Sequence, residues 1–251
     1  MSVTSAPQQL LDDDIRWAHR LHQQQQAARH QVLSKHPPID IFIYTVVPTV
    51  WCSTPLVRVG NVVDGGKWMC RPWRLKPACT IYSFGVGNDS TWEQQLLEIQ
   101  PSCRTYSFDP NPDYAALFEG KPNMNFRPYK LGAVAEHSKG LATFQSIQEE
   151  FGHTQVDALK IDIEGSEYVI LPPILSNQTT HEPICQIFIE LHQTAKDNFS
   201  GMVKLLERAG YLMYAREVLF CGPPCSEYSF VHETCMEQFG MRKADRLYRL
   251  Q

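Results

Sequence analysis

Hydrophobic and polar positions alternate with two different periods between residues 79 and 232. Short runs of β-branched and aromatic residues predict seven strands, at 79–84, 105–108, 125–131, 158–163, 184–191, 212–218 and 228–232. Stretches with apolar residues at helical spacing predict helices at 91–100, 113–118, 164–175 and 199–209. Strands that alternate with helices in this way are typical of a parallel sheet built from βαβ units.

The last two predicted strands, 212–218 and 228–232, differ from the others in their connection. The link between them contains Cys, Gly and Pro and is too short for a crossover helix. Parallel neighbours need such a crossover, so these two strands are expected to pair antiparallel. The predicted fold is therefore α/β and Rossmann-like, a mostly parallel seven-stranded sheet with a C-terminal antiparallel hairpin and an N-terminal helical appendage.

The N-terminal part of the chain has a pattern of its own. Apolar residues at helical spacing predict a helix at 10–34, with the acidic run 12–14 near its start, where the helix dipole favours negative charge. The apolar run 39–51 is broken by polar residues and proline, which indicates a buried strand rather than a membrane span. We therefore divide the chain into an N-terminal helix and strand appendage at 1–55 and a main domain at 56–251.

Composition and charge narrow the class of protein. The 251 residues, with 43% hydrophobic and 20% charged positions, suit one globular α/β domain with an appendage. A net charge of -4 gives no basic field for phosphates, which disfavours a nucleic-acid binder and leaves acidic or neutral small substrates open. No signal peptide or membrane-spanning stretch of about 20 apolar residues is evident, which favours the cytoplasm.

Eight cysteines are spread along the chain without the CxxC spacing of a zinc site. Cys221 and Cys225 form a looser CxxxC pair across a Gly-Pro-Pro turn. We interpret the cysteines as unpaired thiols, with a disulfide that involves Cys70, Cys221 or Cys225 as the alternative.

A glycine turn and a carboxylate form the first candidate site. Gly85 and Gly87 lie between a predicted strand and a helix, and without β-carbons they let the backbone approach a ligand closely. Asp109 follows the next strand, about 20 residues downstream, where a carboxylate accepts the ribose hydroxyls of a nucleoside. Together they predict a site for an adenosine-bearing ligand.

Two further strands end in residues that can carry chemistry. Asp162 and Glu164 follow the fourth predicted strand, and Glu190 and His192 end the fifth. Ligands of open α/β sheets lie beyond this edge, so these side chains are expected to face the reacting groups. His192 would take a proton from an acceptor hydroxyl, with Glu190 orienting the imidazole.

The same carboxylates raise the question of a metal. Asp162, Glu164 and Glu190 could gather around Mg²⁺, but ordinary polar groups at the edge of a sheet explain them equally well. We therefore assign no metal ligand from the sequence.

The segment 159–167, LKIDIEGSE, resembles the LKIDIEGxE signature of the FkbM-type methyltransferases. Other segments are similar to a related methyltransferase-like branch, whose members include membrane-anchored secretory-pathway proteins in animals. They are 58–60, 64–67, 83–87, 108–110 and 225–230. The resemblance covers roughly 58–232 and implies a class I methyltransferase that uses S-adenosyl-L-methionine. It also leaves a secretory location open.

The resemblance assigns roles to particular residues. It implies that Gly85, Gly87 and Asp109 bind the cofactor and that the turn Asp64-Gly65-Gly66 folds back toward it. It further implies that Asp162, Glu164 and His192 line the reaction edge. The expected activity is O-methylation of a small-molecule or glycan hydroxyl.

One position departs from the family pattern and keeps other interpretations open. Ser83 stands where many class I methyltransferases have an acidic residue, so a contact to the cofactor is either missing or supplied by Asp64. The first alternative is thus a catalytically silent binding or scaffold protein with this fold. The second is a nucleotide-dependent oxidoreductase, although Ser90 replaces the third small residue of the dinucleotide fingerprint.

Overall fold

A computed structural model describes residues 31, 47–62, 64–177, 182–192, 199–218 and 225–243 of the chain. Apart from residue 31, the predicted helix at 10–34 lies outside the described residues, and so does most of the predicted strand at 39–51. The division of the chain at residue 55 therefore stays a prediction.

The described residues form thirteen strands and four α-helices. The strands are β1 (Val50–Cys52), β2 (Val57–Val59), β3 (Lys67–Met69), β4 (Thr80–Phe84), β5 (Arg104–Phe108), β6 (Met124–Arg127), β7 (Lys130–Leu131), β8 (Leu141–Ala142), β9 (Ala158–Ile161), β10 (Gln186–His192), β11 (Tyr211–Val218), β12 (Cys225–His232) and β13 (Met241–Lys243). The helices are α1 (Thr91–Ile99), α2 (Phe144–Phe151), α3 (Glu167–Asn177) and α4 (Phe199–Arg208). Short 3₁₀ helices cover Pro72–Arg74, Pro112–Leu117, His137–Lys139 and Glu233–Cys235.

Seven strands form the central sheet in the order β11-β12-β10-β9-β4-β5-β6. All neighbours are parallel except β12, which runs antiparallel to both β10 and β11. The predicted α/β fold and its antiparallel C-terminal pair are thus confirmed. β12 is inserted between β10 and β11, so Glu227 of β12 lies beside Glu190 of β10.

Hydrophobic residues cover both faces of the sheet. On β10, Ile187 and Ile189 belong to one buried cluster while Phe188 belongs to the other. Neighbouring residues of a strand point to opposite faces, so an unbroken apolar run is what a strand covered on both sides requires. Each such side chain contributes roughly 1.5–3 kcal/mol on burial, and this packing fixes where the strands end.

The structure corrects two predicted elements. The predicted strand at 125–131 is divided at Pro128, which has no amide hydrogen for a sheet ladder; β6 precedes it, and β7 pairs with β8 instead. The predicted helix at 113–118 is the 3₁₀ helix Pro112–Leu117, where the side chain of Asn111 accepts the amide of Asp113. Neither change moves the strand ends that carry the predicted site.

Six of the cysteines form disulfides, which are Cys52–Cys70, Cys79–Cys103 and Cys185–Cys235. The interpretation as unpaired thiols is wrong for these six, and the alternative of a disulfide at Cys70 is confirmed, with Cys52 as its partner. The partners are 18, 24 and 50 residues apart, and the fold brings them together. Cys221 lies outside the described residues.

Three smaller pairings in the described part of the chain accompany the central sheet. β2 and β3 form an antiparallel hairpin, β1 pairs antiparallel with β13, and β7 pairs parallel with β8. No helix among the described ranges combines the length and apolar character that a membrane crossing needs.

Candidate active site

The glycine turn after β4 is held between two neighbouring strand ends. The amide of Gly85 donates to the carbonyl of Phe108 at 2.9 Å, and the amide of Asp162 donates to the carbonyl of Phe84 at 2.9 Å. The buried Nζ of Lys160 donates to the carbonyl of Gly85 at 2.7 Å. Gly85 has φ +77°, and a β-carbon there would lie 1.5 Å from the carbonyl oxygen of Asp162. Only glycine fits this turn.

Asp109 is joined to the same turn. Its Oδ2 accepts the amide of Gly87 at 3.1 Å, and its Oδ1 accepts the amide of Asn111 at 3.0 Å. The side chain is nearly buried, and each oxygen keeps a lone pair for a further donor. The predicted glycine turn and carboxylate therefore lie side by side, with the amides and the acceptor needed to hold a nucleoside.

Two adjoining cavities, of about 520 and 560 Å³, open at this edge of the sheet. Both are lined by the same five residues, which are Gly85, Gly87, Asp109, Asp162 and Glu164. Each volume lies within the range of small-molecule sites. The cavities thus share three predicted cofactor-binding residues and two predicted catalytic residues.

The two cavities differ in chemistry. The larger one continues along apolar and aromatic side chains that suit a flat base, which are Phe108, Pro110, Tyr129, Leu131 and Ile163. The smaller one is lined by carboxylates and one lysine, Lys160, which already donates to the carbonyl of Gly85. One end therefore suits an apolar ring and the other a cationic group.

The turn between β2 and β3 contributes only in part. Asp64 and Gly65 line the smaller cavity, together with Asn61 and Asp89, which were not predicted. Gly66 does not line it; a β-carbon there would lie 2.2 Å from the carbonyl oxygen of Asn61. Gly66 thus closes the hairpin, while Asp64 and Gly65 face the cavity.

His192 lies within a group of carboxylates at the carboxyl end of β10. Its Nδ1 is 3.1 Å from Glu167 Oε1, and its Nε2 is 3.3 Å from Glu190 Oε1. The same Nε2 is 3.4 Å from Glu164 Oε2 and 4.0 Å from Asp162 Oδ1. The structure therefore brings the predicted residues Asp162, Glu164 and His192 together.

The carboxylates around His192 set its charge. Hydrogen bonds with Glu167 and Glu190 raise the pKa of the imidazole to about 10, against the opposing effect of burial. In this arrangement His192 carries a proton at neutral pH and acts as a donor. A role as proton acceptor would first require that this proton leave.

Glu164 occupies an unusual backbone conformation. It has φ +56° and is followed by Gly165 with φ +96°, so two successive residues are left-handed. The left-handed region costs a residue with a β-carbon about 1–2 kcal/mol. The turn leaves the Glu164 side chain 86% exposed beside His192. Such strain is found where a side chain is held for function.

Lys67 is the main residue that the sequence did not reveal. Its side chain is 1% exposed, and its Nζ lies 2.7 Å from Glu227 Oε1, 3.6 Å from Glu190 Oε2 and 3.7 Å from Asp162 Oδ2. Burial lowers the pKa of Lys67, but these three carboxylates outweigh it and raise the pKa. Lys67 therefore stays charged.

The strand register explains why a buried cation lies here. Glu190 and Glu227 are directly opposite each other on β10 and β12, and two like charges in that position destabilise a sheet. Lys67 lies next to both carboxylates and offsets their repulsion. The charge of Lys67, followed by those of Lys160 and His192, also lowers the pKa of Asp162 against the effect of its burial.

Ser83 points away from the cavities. Its Oγ donates to Glu93 Oε1 at 2.6 Å, and both side chains are fully buried. Ser83 thus anchors helix α1, while Asp64 lines the cavity.

Comparisons with known proteins agree with this architecture. The sheet order and the inserted antiparallel strand define a class I methyltransferase, the class whose methyl donor is S-adenosyl-L-methionine. A family model described as a methyltransferase domain matches residues 10–232, and the chain belongs to that family.

Two curated relatives are similar over 121 residues, or 45% of the chain. They are the probable methyltransferase-like protein 24 of Homo sapiens, 28% identical, and that of Rattus norvegicus, 27% identical. The match spans about a third of each relative, 32% and 33% of its length. The finer resemblance to FkbM-type enzymes stays a prediction.

Solved structures with a similar chain path have low identity. A fibrillarin–Nop5p complex aligns with a TM-score of 0.45 and 13% identity, over 74% of this chain and 99% of that one. Aeropyrum pernix fibrillarin with natively bound S-adenosyl-L-methionine aligns with a TM-score of 0.44 and 13% identity, over 71% and 83%.

Proposed function

We propose that this protein transfers a methyl group from S-adenosyl-L-methionine to a hydroxyl group of a small molecule or glycan. The observation that carries the proposal is the common cavity wall of Gly85, Gly87 and Asp109. This wall offers a close backbone approach and a carboxylate for ribose hydroxyls.

The cavities fit the two ends of that cofactor. The apolar cavity beside Pro110 and Tyr129 suits the adenine ring, and the carboxylates near Asp64 suit the cationic amino-acid end. When bound, the cofactor supplies an electrophilic methyl group on a sulfonium. The role of the protein is mainly to align the acceptor and to accept its proton.

Asp162, Glu164 and His192 form the proposed acceptor side of the site. Their polar groups lie within 4.0 Å of His192 Nε2, so one hydroxyl can contact several of them. We assign Asp162 and Glu164 to hold the hydroxyl and remove its proton, and the protonated His192 to orient them.

The charge of the site supports a neutral acceptor. Five carboxylates line the smaller cavity, and they are Asp64, Asp89, Asp109, Asp162 and Glu164. Such a wall repels phosphate and other anions. We therefore propose a sugar or other neutral hydroxyl, and no nucleic acid, as the acceptor.

The proposed location follows from the disulfides. Disulfides persist in oxidising compartments and are rare in the cytosol. Three of them in the described part of the chain favour the secretory pathway over the cytoplasm.

Calorimetric titration with S-adenosylhomocysteine, the demethylated product, tests cofactor binding. We expect saturable binding that is lost in Asp109→Ala and retained in Asp113→Ala, an exposed aspartate outside both cavities. Absence of binding by the folded protein would refute the proposal.

Transfer itself needs a second assay, with labelled methyl donor and a panel of glycans and small alcohols. Asp162→Asn should lower turnover and keep cofactor affinity within a few fold. The alternative is a protein that binds the cofactor without turnover. The protonation of His192 supports this alternative, because a protonated imidazole does not accept the acceptor's proton. Binding without transfer to any member of the panel would favour that alternative.

A further inference from the structure

A second site is built at the carboxyl ends of β9 and β10, next to the cofactor cavities. Asp162, Glu190 and His192 each offer one ligand atom, and these three atoms lie within 4.8 Å of one another. Two carboxylates and an imidazole are a ligand set that divalent cations such as Mn²⁺ accept. We propose that Asp162, Glu190 and His192 bind a divalent cation of the Mn²⁺ or Mg²⁺ type.

The distances match a shared ion. Ligands about 2.1 Å from an octahedral ion lie about 3.0 Å apart when adjacent and about 4.2 Å apart when opposite. His192 Nε2 is 3.3 Å from Glu190 Oε1 and 4.0 Å from Asp162 Oδ1. An ion can therefore replace the direct contacts with small shifts of the side chains, and its binding releases the proton from His192 Nε2 to solvent.

Glu167 orients the imidazole as an outer carboxylate does in metal sites. Its Oε1 lies 3.1 Å from His192 Nδ1 and also accepts the amide of Ile163 at 2.9 Å. Because Glu167 is fully buried, this contact fixes the ring and directs Nε2 toward the two ligand carboxylates.

Unpaired carboxylate oxygens point to a cation. Glu227, which is 3% exposed, has an oxygen within 4.8 Å of ligand atoms of Asp64 and Glu190. Its Oε2 has no hydrogen-bond partner among the described residues, and its ion-pair contact with Arg58 is long, at 3.9 Å. Oε2 of the fully buried Glu167 also has no hydrogen-bond partner there. Buried carboxylate oxygens without donors are costly, and a nearby cation lowers that cost.

The permanent cations nearby make their shortest contacts outside the three ligands. Nζ of Lys67 lies 2.7 Å from Glu227, against 3.6 Å from Glu190 and 3.7 Å from Asp162. Lys160 donates to the carbonyl of Gly85. The exposed Glu164, with Oε2 3.4 Å from His192 Nε2, can turn toward the ion as a fourth ligand. Of the three ligands, Asp162 also lines both cavities, so the ion would lie beside the proposed acceptor position.

Mn²⁺ binding tests the proposal without a catalytic assay. We expect electron paramagnetic resonance to show one Mn²⁺ bound per chain and displaced by Mg²⁺. Asp162→Asn, Glu190→Gln and His192→Ala should each weaken binding by more than tenfold. Glu167→Gln, which can still accept the amide of Ile163, should weaken it by about 10–100-fold through loss of orientation.

Glu119→Gln and Asp113→Asn, both exposed and outside the cluster, serve as matched controls and should bind like the wild type. Near-UV circular dichroism identifies variants that fail to fold. If one of the three ligand variants fails to fold, the Mn²⁺ affinity of Glu167→Gln still tests the proposal. No Mn²⁺ binding by the folded wild type, or equal binding in all four variants, would overturn the proposal.

Only the contact with the acceptor rests on the proposed function. Titration of the same samples with S-adenosylhomocysteine distinguishes failure of the metal site from failure of the proposed function. Mn²⁺ binding without S-adenosylhomocysteine binding would refute the proposed function and support the metal site. S-adenosylhomocysteine binding without Mn²⁺ binding would refute the metal site alone.

Discussion

A β-carbon on Gly85 would lie 1.5 Å from the carbonyl oxygen of Asp162, so the glycine turn after β4 and the strand end after β9 are in direct backbone contact. One position thereby connects the two halves of the site. Any side chain at residue 85 has to move the strand end that carries Asp162.

Gly85→Ala should therefore disturb stability and binding together. Overpacking costs about 1–3 kcal/mol, and the left-handed conformation costs about 1–2 kcal/mol more. Gly120→Ala is the matched control, since Gly120 has φ +67° and no atom within 4 Å of an added β-carbon. Urea unfolding and S-adenosylhomocysteine titration should show a larger loss at residue 85, with binding lost there alone. Equal effects at the two positions would contradict the argument.

Much of this architecture is readable from the sequence. Apolar runs such as 187–189 mark strands buried on both faces, and Gly85 and Asp109 follow strands at the spacing of a nucleoside site. Helix α2 was missed although Thr143 and Ser146 form a capping box and Gly152 ends the helix. Its eight residues are too few for a clear helical period.

Other features depend on pairings that no local pattern contains. Glu190 and Glu227 are opposite each other only because β12 is inserted beside β10 in one register. Lys67 comes from a separate hairpin, and its strand pattern gives no sign of its partners. The cysteine pairs likewise depend on which strands become neighbours, as with Cys79 and Cys103 before β4 and β5.

Lys67→Met should destabilise the protein strongly. Removal of a buried ion's partner costs about 3–5 kcal/mol, because Glu190 and Glu227 would remain close without the cation that lies next to both of them. Lys76→Met removes the exposed contact with Glu182 and should cost less than about 1 kcal/mol. Because burial raises the pKa of Glu227, acid neutralises this carboxylate, and the deficit of Lys67→Met should shrink between pH 7 and pH 4 in urea unfolding. A deficit that does not depend on pH would indicate a packing effect instead.

The disulfide Cys185–Cys235 offers a test of the folding compartment. It closes the longest of the three loops, so replacing both cysteines by serine should lower the free energy of unfolding by about 2–4 kcal/mol. In protein made under oxidising conditions, Cys185 and Cys235 should not react with alkylating reagents until a reductant is added. The thermal midpoint of the reduced protein should be lower than that of the oxidised protein. Full alkylation of an equally stable native protein would show that the disulfide is dispensable.

His192 makes stability depend on pH in metal-free protein. The model-peptide pKa is 6.5, whereas hydrogen bonds with Glu167 and Glu190 raise the pKa in the folded state to about 10. A raised pKa means that the folded state holds the proton more tightly. This stabilisation is complete below about pH 6.5 and is lost progressively as the pH rises toward 10. We expect urea unfolding with a chelator present to show stability falling over that window, with a flatter profile for His192→Asn. Identical slopes for the two proteins would show that other groups carry the pH dependence.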